Sequence, residues 1–292
     1  MPEGDTIHTL AVMLGRWLTG RQLTAVRVPR QTLPQLGGCR VQCVTSHGKH
    51  LYIDLDDGHR LRSHLGLYGA WHHYGRDEPW QKPPGQASLV LELEDRVYVC
   101  FNAREVELMW TLGFQALDQH HRLGPDLIRE LVQPEPLWER ARDLLAGDTP
   151  VVDLLLNQRV AAGIGNVYKS EVLFIGRYSP LLRLDDLSSE DMTQLYSIAG
   201  SLLNENLHGG RRRTRWPDDG RGPLWVYGRA ARPCLRCGGS IRRDLLGRYP
   251  RSTYWCAACQ TGPAAATAKV TGRDAPAPAY SNRSRNALAK ER

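Results

Sequence analysis

Cys234-Leu-Arg-Cys237, followed after eighteen residues by Cys256-Ala-Ala-Cys259, is the most informative stretch of this sequence. Each pair can place two thiolates at a tight turn, and two such turns close a tetrahedral metal site with bonds of about 2.3 Å. Four thiolates leave no open coordination position, so the spacing predicts a structural site that holds one zinc ion. The segment between the pairs, residues 240–254, has the length of a short β-hairpin.

The predicted hairpin carries four cations, which are Arg242, Arg243, Arg248 and Arg251. Residues 201–260 hold 12 arginines against four acidic residues, and residues 261–292 hold six basic residues against two acidic ones. Because the whole chain has a formal net charge of +7, the first 200 residues are net acidic. This segregation is typical of a module that binds a polyanion and is joined to a more neutral body.

Composition narrows the class of protein further. The chain has 292 residues, of which 41% are hydrophobic and 24% are charged. This length and composition suit two modest domains and a smaller accessory module, with enough apolar residues to form a hydrophobic core. It lacks a run of about 18 apolar residues, and its start lacks the layout of a signal peptide. Seven cysteines, four of them in tight pairs, favour metal binding in a reducing compartment over disulfides. We therefore expect a cytoplasmic protein that does not associate with a membrane.

Toward the N-terminus the pattern indicates one helix followed by short strands. Asp5-Thr6 can cap a helix that runs to about Thr19, because apolar residues recur there on one face. Residues 23–101 then alternate between apolar and polar over short runs separated by turn signals such as Asp56-Asp-Gly58. This pattern predicts an antiparallel β-sandwich or barrel.

The pattern becomes helical after residue 123. Pro150 is placed to open a helix, and a further helix is expected over residues 189–204. Beyond Gln260 the chain is rich in Ala, Pro, Thr and Arg with hardly any large apolar residue, which predicts a disordered tail. We expect an α+β multidomain chain with four parts: a β-sandwich with an N-terminal helix (1–122), a helical domain (123–224), a metal ribbon (225–260) and a basic tail (261–292).

The segment 157–171, Asn-Gln-Arg-Val-Ala-Ala-Gly-Ile-Gly-Asn-Val-Tyr-Lys-Ser-Glu, predicts a tight turn between two helices. One helix should end near Val160, Gly163 and Gly165 permit the reversal, and the second helix should start at Asn166. Unpaired N–H groups at that start, with the positive helix end behind them, can cradle a phosphate. The glycine spacing alone favours an ordinary packing corner.

The N-terminus offers a reactive nitrogen. Methionine before a small residue such as proline is commonly removed, which would expose the secondary amine of Pro2. An α-amine has a pKa of about 7.7–8.0, and the positive end of the following helix lowers the pKa further. A neutral secondary amine attacks carbon electrophiles and forms an iminium, with Glu3 adjacent as a proton donor or acceptor. Taken alone, a Pro-Glu start is common.

Four motifs occur here in one order: the Pro-Glu-Gly start, Gly48-Lys49-His50-Leu51, Gly163-Ile-Gly-Asn166 and the two cysteine pairs. Together they resemble the formamidopyrimidine-DNA glycosylase/endonuclease VIII family of base-excision repair, over residues 1 to about 260. The resemblance implies a β-sandwich and a helical domain with a helix–two-turn–helix motif and a zinc ribbon, which clasp bent duplex DNA. It also implies a bifunctional glycosylase and lyase with one structural zinc, which we expect to bind damaged DNA as a monomer.

The resemblance also implies roles for single residues. Pro2 is similar to the nucleophile that attacks C1′ of a flipped nucleotide, and Glu3 is similar to its acid–base partner. Lys49 resembles a lysine that contacts phosphate beside the damage, and the alternative is a solvent-facing turn lysine. Asn166 matches a phosphate-binding residue, and Arg251 matches the ribbon arginine that grips the phosphates. The catalytic set is therefore Pro2, Glu3, Lys49 and Arg251.

A flipped base leaves a hole in the stack, which the family fills with side chains. Leu67 and Tyr68, in Ser63-His-Leu-Gly-Leu-Tyr-Gly69, resemble the apolar and aromatic wedge of the endonuclease VIII branch. The alternative is that both belong to the sandwich core. Arg104, in Asn102-Ala-Arg-Glu105, corresponds less closely to a contact with the orphaned base.

Two departures from the family pattern bear on the substrate. Many members carry a second glutamate where this chain has Thr6, so its task is absent or falls to Asp5. Residues 209–225 are shorter than the loop that covers oxidised guanine in the purine-directed branch. Both the short loop and the Leu-Tyr wedge favour oxidised pyrimidines. The alternatives are a glycosylase for oxidised purines, a non-catalytic binder of damaged DNA, and a zinc-ribbon transcription factor.

Overall fold

The computed structural model describes residues 1–29, 31–111, 123–130 and 133–262. A helix packed on two antiparallel sheets is followed by a group of helices and a two-stranded ribbon, so the predicted α+β organisation is confirmed. The helices are α1 (Gly4–Leu18), α2 (Pro134–Leu144), α3 (Val151–Leu156), α4 (Asn166–Gly176) and α5 (Ser189–Glu205). The strands are β1 (Ala25–Val28), β2 (Gln31–Thr32), β3 (Val41–His47), β4 (His50–Leu55), β5 (His59–His64), β6 (Ala70–Gly75), β7 (Ala87–Glu92), β8 (Arg96–Phe101), β9 (Glu105–Trp110), β10 (Arg242–Leu246) and β11 (Arg251–Trp255).

Helix α1 forms because apolar residues recur every three or four positions and face the sandwich. Its inner face is buried at Ile7, Ala11, Leu14 and Leu18. The helix begins at Gly4, slightly earlier than the predicted cap, and Glu3 occupies the N-cap position. Asp5 is therefore a buried residue of the first turn and not the cap.

The two sheets have the strand orders β2-β1-β7-β8-β6 and β3-β4-β5-β9, with antiparallel pairing throughout. Alternate residues of each strand face the space between the sheets, such as Leu51 and Ile53 on β4 and Leu89 and Leu91 on β7. Residues of both sheets and of α1 form one buried cluster. The chain thus forms a sandwich and not the barrel that the same pattern allowed.

The helical part packs around a second core, in which Tyr168 on α4 and Leu203 on α5 are fully buried. Pro150 precedes α3 and α4 starts at Asn166, both as predicted. Helix α3 ends at Leu156, whereas the sequence predicted an end near Val160. The reason is local, because the Asn157 side chain accepts a hydrogen bond from the Arg159 N–H (2.9 Å) and turns the chain out of the helix.

The ribbon formed by β10 and β11 pairs from Arg242 opposite Trp255 to Leu246 opposite Arg251. Its small apolar cluster includes Phe174 of α4, so the ribbon packs directly on the helix that follows the glycine turn. At the far end of the ribbon, the Arg248 N–H donates to a carboxylate oxygen of Asp153 on α3 (2.6 Å). The predicted hairpin is confirmed, and it is fastened to the helices at both ends.

The N-terminal and helical parts meet where three backbones pass very close to one another. Gly48, in the β3–β4 turn, has φ +54°, and a Cβ there would lie 2.6 Å from Cβ of Ala162. A Cβ at Gly4 would lie 2.9 Å from Cα of Gly163, whose carbonyl accepts a hydrogen bond from the Gly4 N–H (2.9 Å). Glycines of three sequence motifs are therefore explained by one close contact between the two parts.

Some expectations fall on residues that the structure leaves undescribed. Residues 112–122 and 263–292 lie outside the described residues, so the first boundary at 122 and the disordered tail over 261–292 stay predictions. Within the described ranges, none of the helices combines the length and the apolar character that a bilayer crossing requires.

Replacing Gly48 by alanine should destabilise the protein, because the new Cβ meets Ala162 and the backbone is in the left-handed region. We expect the free energy of unfolding to fall by about 2 kcal/mol or more in urea titrations. Gly85→Ala is the matched control, since a Cβ at Gly85 has open space around it. Equal stability of the two variants would contradict the close approach described here.

Candidate active site and metal centre

The carboxylate of Glu3 joins the start of the chain to the start of α4. Its oxygens accept hydrogen bonds from the backbone N–H groups of Gly165 (2.9 Å), Val167 (2.8 Å) and Tyr168 (3.3 Å). The residue is 0% exposed, and the positive end of α4 stabilises its charge. A Cβ at Gly165 would lie 2.3 Å from Cδ of Glu3, so only glycine fits. The Glu3 carboxylate thus occupies the start of α4, where the sequence had predicted a possible phosphate cradle.

Pro2 lies beside a cavity of about 570 Å³ between α1 and the segment that follows α5. The cavity is also lined by Thr6, by Trp71 of β6 and by Arg212. Pro2 itself is half-buried and directly precedes the anchored Glu3. The structure therefore places the N-terminal residues at an open cavity with a fixed backbone behind them.

Arg212 is the member of this site that the sequence did not reveal. Its guanidinium donates two hydrogen bonds to the carboxylate of Asp5, from Nε (2.8 Å) and Nη2 (2.6 Å), and lies over the ring of Tyr168. The Tyr168 hydroxyl donates to the same carboxylate (2.9 Å). Asp5 is thus engaged by an arginine about 200 residues away. The only signal in the sequence was the arginine run 211–213.

Lys49 lies in the β3–β4 turn, which is held by a hydrogen bond from the Gly48 N–H to the Asp126 carboxylate (3.1 Å). Burial lowers the pKa of Lys49, Glu3 raises it, and the positive charges of Arg251 and Arg212 lower it. Lys49 therefore lies within electrostatic reach of Glu3, Arg251 and Arg212. Lys49 is half-buried in this group, so the interpretation as a solvent-facing turn lysine is not supported.

The side chain of Asn166 faces the ribbon. Its Nδ2 donates to the Ser252 carbonyl (2.9 Å), and its Oδ1 accepts from Nζ of Lys169 (2.7 Å). Lys169 is fully buried and also donates to the Thr253 hydroxyl (2.8 Å). Burial lowers the pKa of Lys169 to about 8. Arg251 is exposed and precedes Ser252 on β11. Because Asn166 contacts Ser252, the structure brings Asn166 close to the ribbon arginine.

Leu67 and Tyr68 protrude from the sandwich. Their exposed fractions are 53% and 76%, which excludes the alternative that both are core residues. Arg104 stands beside this loop, because a Cβ at Gly66 would lie 2.9 Å from Cβ of Arg104. The Arg104 side chain is mostly exposed, with Glu105 3.4 Å away. The three residues form one exposed surface, as a wedge would require.

The four cysteines form the expected cluster. All their sulfur atoms lie within 4.8 Å of one another, with Sγ separations of 3.5 Å for Cys237 and Cys256 and 3.9 Å for Cys234 and Cys259. Tetrahedral coordination with bonds of about 2.3 Å requires sulfur separations of about 3.8 Å. The residues therefore fit a metal ion. The remaining cysteines differ from these, since Cys39 and Cys100 are buried in the sandwich and Cys43 is half-buried.

Glu171 fastens the ribbon to α4 in the way that Glu3 fastens the N-terminus. Its buried carboxylate accepts hydrogen bonds from the N–H groups of Trp225 (2.8 Å), Val226 (2.9 Å) and Tyr227 (2.7 Å). Burial raises the pKa of Glu171, and these hydrogen bonds oppose that shift. The start of the ribbon is therefore fixed relative to the helix that bears Asn166.

Known families match both parts of the chain. The model of the formamidopyrimidine-DNA glycosylase N-terminal domain matches residues 1–106, and the model of the formamidopyrimidine-DNA glycosylase H2TH domain matches residues 123–217. A "Probable endonuclease 8 2" from Streptomyces coelicolor is 39% identical over 284 residues, which cover 93% of this chain and 98% of that protein. The chain belongs to the formamidopyrimidine-DNA glycosylase/endonuclease 8 family.

Other family members show where the chain stands in the family. "DNA-(apurinic or apyrimidinic site) lyase Nei2" of Mycolicibacterium smegmatis is 38% identical over 267 residues, which cover 89% of this chain and 99% of that protein. "Formamidopyrimidine-DNA glycosylase" of Chloroflexus aurantiacus is 30% identical over 281 residues, which cover 89% and 98%. These identities place the chain nearer to the endonuclease 8 branch, as expected from the sequence.

Solved structures of the family share the fold. A Lactococcus lactis formamidopyrimidine-DNA glycosylase bound to DNA containing an AP site is 24% identical, with a TM-score of 0.75 over 89% of this chain and 100% of that chain. A MutM complex with carbocyclic 8-oxo-G containing DNA, also 24% identical, has a TM-score of 0.76 over the same shares. The likeness at this identity confirms the sandwich and helical architecture.

Replacing Cys256 by serine should remove one of four thiolate ligands and weaken the folded ribbon, because binding of a structural metal contributes to folding. We expect metal content by elemental analysis to fall well below one ion per chain, and the melting temperature to drop by several degrees. Cys43→Ser is the control, as Cys43 lies in β3 away from the cluster. Unchanged metal content in Cys256→Ser would contradict the site.

Proposed function

We propose that the chain is a bifunctional DNA glycosylase and AP lyase of base-excision repair. The supporting observation is the N-terminal arrangement, in which Pro2 lies beside an open cavity and Glu3 is anchored on α4 with cations gathered nearby. Relatives named endonuclease 8 and DNA-(apurinic or apyrimidinic site) lyase support the same activity. The substrate is damaged DNA, which the cationic ribbon and helices would hold against the sandwich.

The chemistry starts from the Pro2 nitrogen after removal of Met1. Its lone pair forms a bond to C1′ of the flipped nucleotide, and the bond from C1′ to the base breaks with the electron pair leaving on the base. The nitrogen then gives up its own proton, which the departing base takes up. Opening of the C1′–O4′ bond, with a proton supplied to O4′, produces an iminium on the proline nitrogen. Glu3 is the proposed acid–base partner for this proton.

The iminium makes the C2′ proton acidic, because the positive nitrogen accepts the electron pair left on carbon. Loss of that proton expels the 3′ phosphate by β-elimination, and loss of the C4′ proton in a second, δ-elimination expels the 5′ phosphate. Lys49, Asn166 and Arg251 are the proposed contacts to these phosphates, and the positive charges of Lys49 and Arg251 stabilise the leaving oxyanions. The positive charge of Arg251 lowers the pKa of Lys49, so the two cations lie within electrostatic reach of each other. This proximity supports a common role in binding the phosphates.

The exposed loop of Leu67 and Tyr68 is the proposed wedge that fills the gap left by the flipped base. Arg104, beside the loop, is the proposed contact to the orphaned partner base. The four-cysteine cluster would hold one zinc ion, which stabilises the ribbon and takes no part in the reaction. We propose that the enzyme acts as a monomer in the cytoplasm at the nucleoid.

Oxidised pyrimidines are the proposed substrates, on the basis of the wedge residues and of the endonuclease 8 relatives. Oxidised purines are the alternative, which the Chloroflexus formamidopyrimidine-DNA glycosylase relative keeps open. The segment from Gly209 to Trp225 forms a folded turn around Arg215, whose guanidinium pairs with Asp219. A loop closed on itself in this way supports the proposal of a small cover over the base.

Replacing Pro2 by glycine should slow base removal about a hundredfold, which corresponds to about 2.7 kcal/mol in the barrier, because the secondary amine is lost. Release of the base from a duplex that carries an oxidised pyrimidine measures base removal. Borohydride trapping with an abasic duplex measures the covalent complex, and mass spectrometry identifies the residue to which the DNA is bound. Metal content and DNA binding should be unchanged, as in the control Pro84→Gly, which alters an exposed proline outside the cavity. A wild-type protein that binds damaged DNA but cannot be trapped would favour the non-catalytic binder.

Duplexes with thymine glycol or dihydrouracil should be cut at least about tenfold faster than duplexes with 8-oxoguanine. Gel analysis of the product ends should show phosphates on both sides of the gap, as β,δ-elimination requires. An abasic duplex is the control, since its cleavage does not depend on recognition of the base. Faster cleavage at 8-oxoguanine would contradict the proposed preference and support the purine alternative.

A further inference from the structure

Arg212 is held at the N-terminus by more contacts than a DNA-binding surface arginine needs. Its Nε and Nη2 form a fork on the Asp5 carboxylate, and Nη2 also donates to the Thr6 hydroxyl (2.9 Å). The Tyr168 ring lies 4.8 Å from Cζ of the guanidinium. The Arg212 side chain is 14% exposed and cannot turn away from this position without breaking the fork. Its charge is fixed, because the pKa of Arg212 is raised above its ordinary value by Asp5 and Glu3 in spite of burial.

The remaining nitrogen, Nη1, points at the peptide that precedes Pro2. It donates to the Met1 carbonyl oxygen at 3.4 Å. In a peptide that oxygen lies about 2.3 Å from the following nitrogen, so the guanidinium lies within about 6 Å of the Pro2 nitrogen. When Met1 is removed, Nη1 loses this acceptor and faces the cavity that Pro2 and Arg212 line together.

The carboxylates near the Pro2 nitrogen, those of Glu3 and Asp5, are already hydrogen bonded to other groups of the protein. Glu3 is bound to three N–H groups of α4, with one oxygen 3.9 Å from Nη1 of Arg212. Asp5 is bound to the Arg212 fork and to the Tyr168 hydroxyl, and burial beside Asp5 raises the pKa of that phenol, so it stays neutral. Each carboxylate is therefore offset by donors that face it.

Positive groups approach from the other elements packed around the N-terminus. Lys49 lies in the β3–β4 turn, and its pKa is shifted by the charges of Glu3, of Arg251 on β11 and of Arg212. Lys169 of α4 is buried under the ribbon and hydrogen bonded to Asn166 and Thr253. Among these cations, Arg212 is hydrogen bonded to the residue that precedes Pro2, and its charge does not change in the physiological range.

We propose that Arg212, fixed by Asp5, is a positioning residue of the lyase site that holds a permanent positive charge beside the mature N-terminal nitrogen and keeps Pro2 unprotonated. The inference rests on the proposed function, since it concerns the same nucleophile. A nearby cation disfavours the protonated amine, so more of the enzyme is reactive at neutral pH. Asp5 orients the guanidinium through two hydrogen bonds. Tyr168 donates a hydrogen bond to Asp5 and packs its ring against the guanidinium.

The test is the pH dependence of borohydride trapping with an abasic duplex, at saturating DNA, for wild type, Arg212→Gln and Arg212→Lys. Loss of the charge raises the pKa of the Pro2 amine, so the acid limb of the profile should move to higher pH by about one unit in Arg212→Gln. Arg212→Lys keeps a charge and should move the limb by much less. Arg211→Gln is the matched control, because it removes an exposed charge from the same run and should leave the midpoint in place.

The outcomes separate this inference from the proposed function. Wild type that cannot be trapped at any pH defeats the proposed function, whereas trapped wild type with an unshifted Arg212→Gln midpoint defeats the inference alone. A uniform loss of rate at every pH, or equal shifts in Arg212→Gln and Arg212→Lys, would show a structural role and overturn it. If Arg212→Gln does not fold, Asp5→Asn/Arg212→Gln removes both buried charges, and it should keep an upward shift of reduced size.

Discussion

The contact on which the site depends is the carboxylate of Glu3 bound to the first N–H groups of α4. It crosses 162 residues of sequence and fixes the N-terminus of the sandwich against the helical part. Because the contact is buried and charge-assisted, even a small displacement would leave a charge without donors. The geometry also explains Gly165, since any side chain there would occupy the volume of the carboxylate.

Two other carboxylates repeat this device. Asp126 accepts the N–H of Gly48 and fixes the turn that bears Lys49, while Glu171 accepts three N–H groups at the start of the ribbon. The carboxylates of Glu3, Asp126 and Glu171 thus accept hydrogen bonds from backbone N–H groups inside the protein. Of the cations near them, Arg212 and Lys169 are also bound inside the protein, whereas Arg251 is exposed on the ribbon and leaves positive charge at the surface for a polyanion.

Local patterns in the sequence were sufficient for much of the fold and part of the site. Alternation over β4, the cysteine spacing and the glycines before Asn166 each reflect interactions within a short segment, and each predicted the right structure. The end of α3 was wrong because one Asn157 side-chain hydrogen bond outweighed helix propensity. Arg212 could not be found this way, because its partner Asp5 is 207 positions away and no local pattern links the arginine run to the start of α1.

The departure at Thr6 acquires a physical meaning from this arrangement. The Thr6 hydroxyl accepts a hydrogen bond from Nη2 of Arg212, and the neighbouring carboxylate of Asp5 accepts two from Nε and Nη2. A glutamate in place of Thr6 would put a second acid against the guanidinium and cancel the positive field at the N-terminal nitrogen. With one carboxylate, the guanidinium is held in place but its field is only partly offset, because Asp5 is also bound by the Tyr168 hydroxyl. If Arg212 has the proposed role, position 6 also contributes to the electrostatics of the nucleophile, because a hydroxyl there adds no negative charge beside the guanidinium.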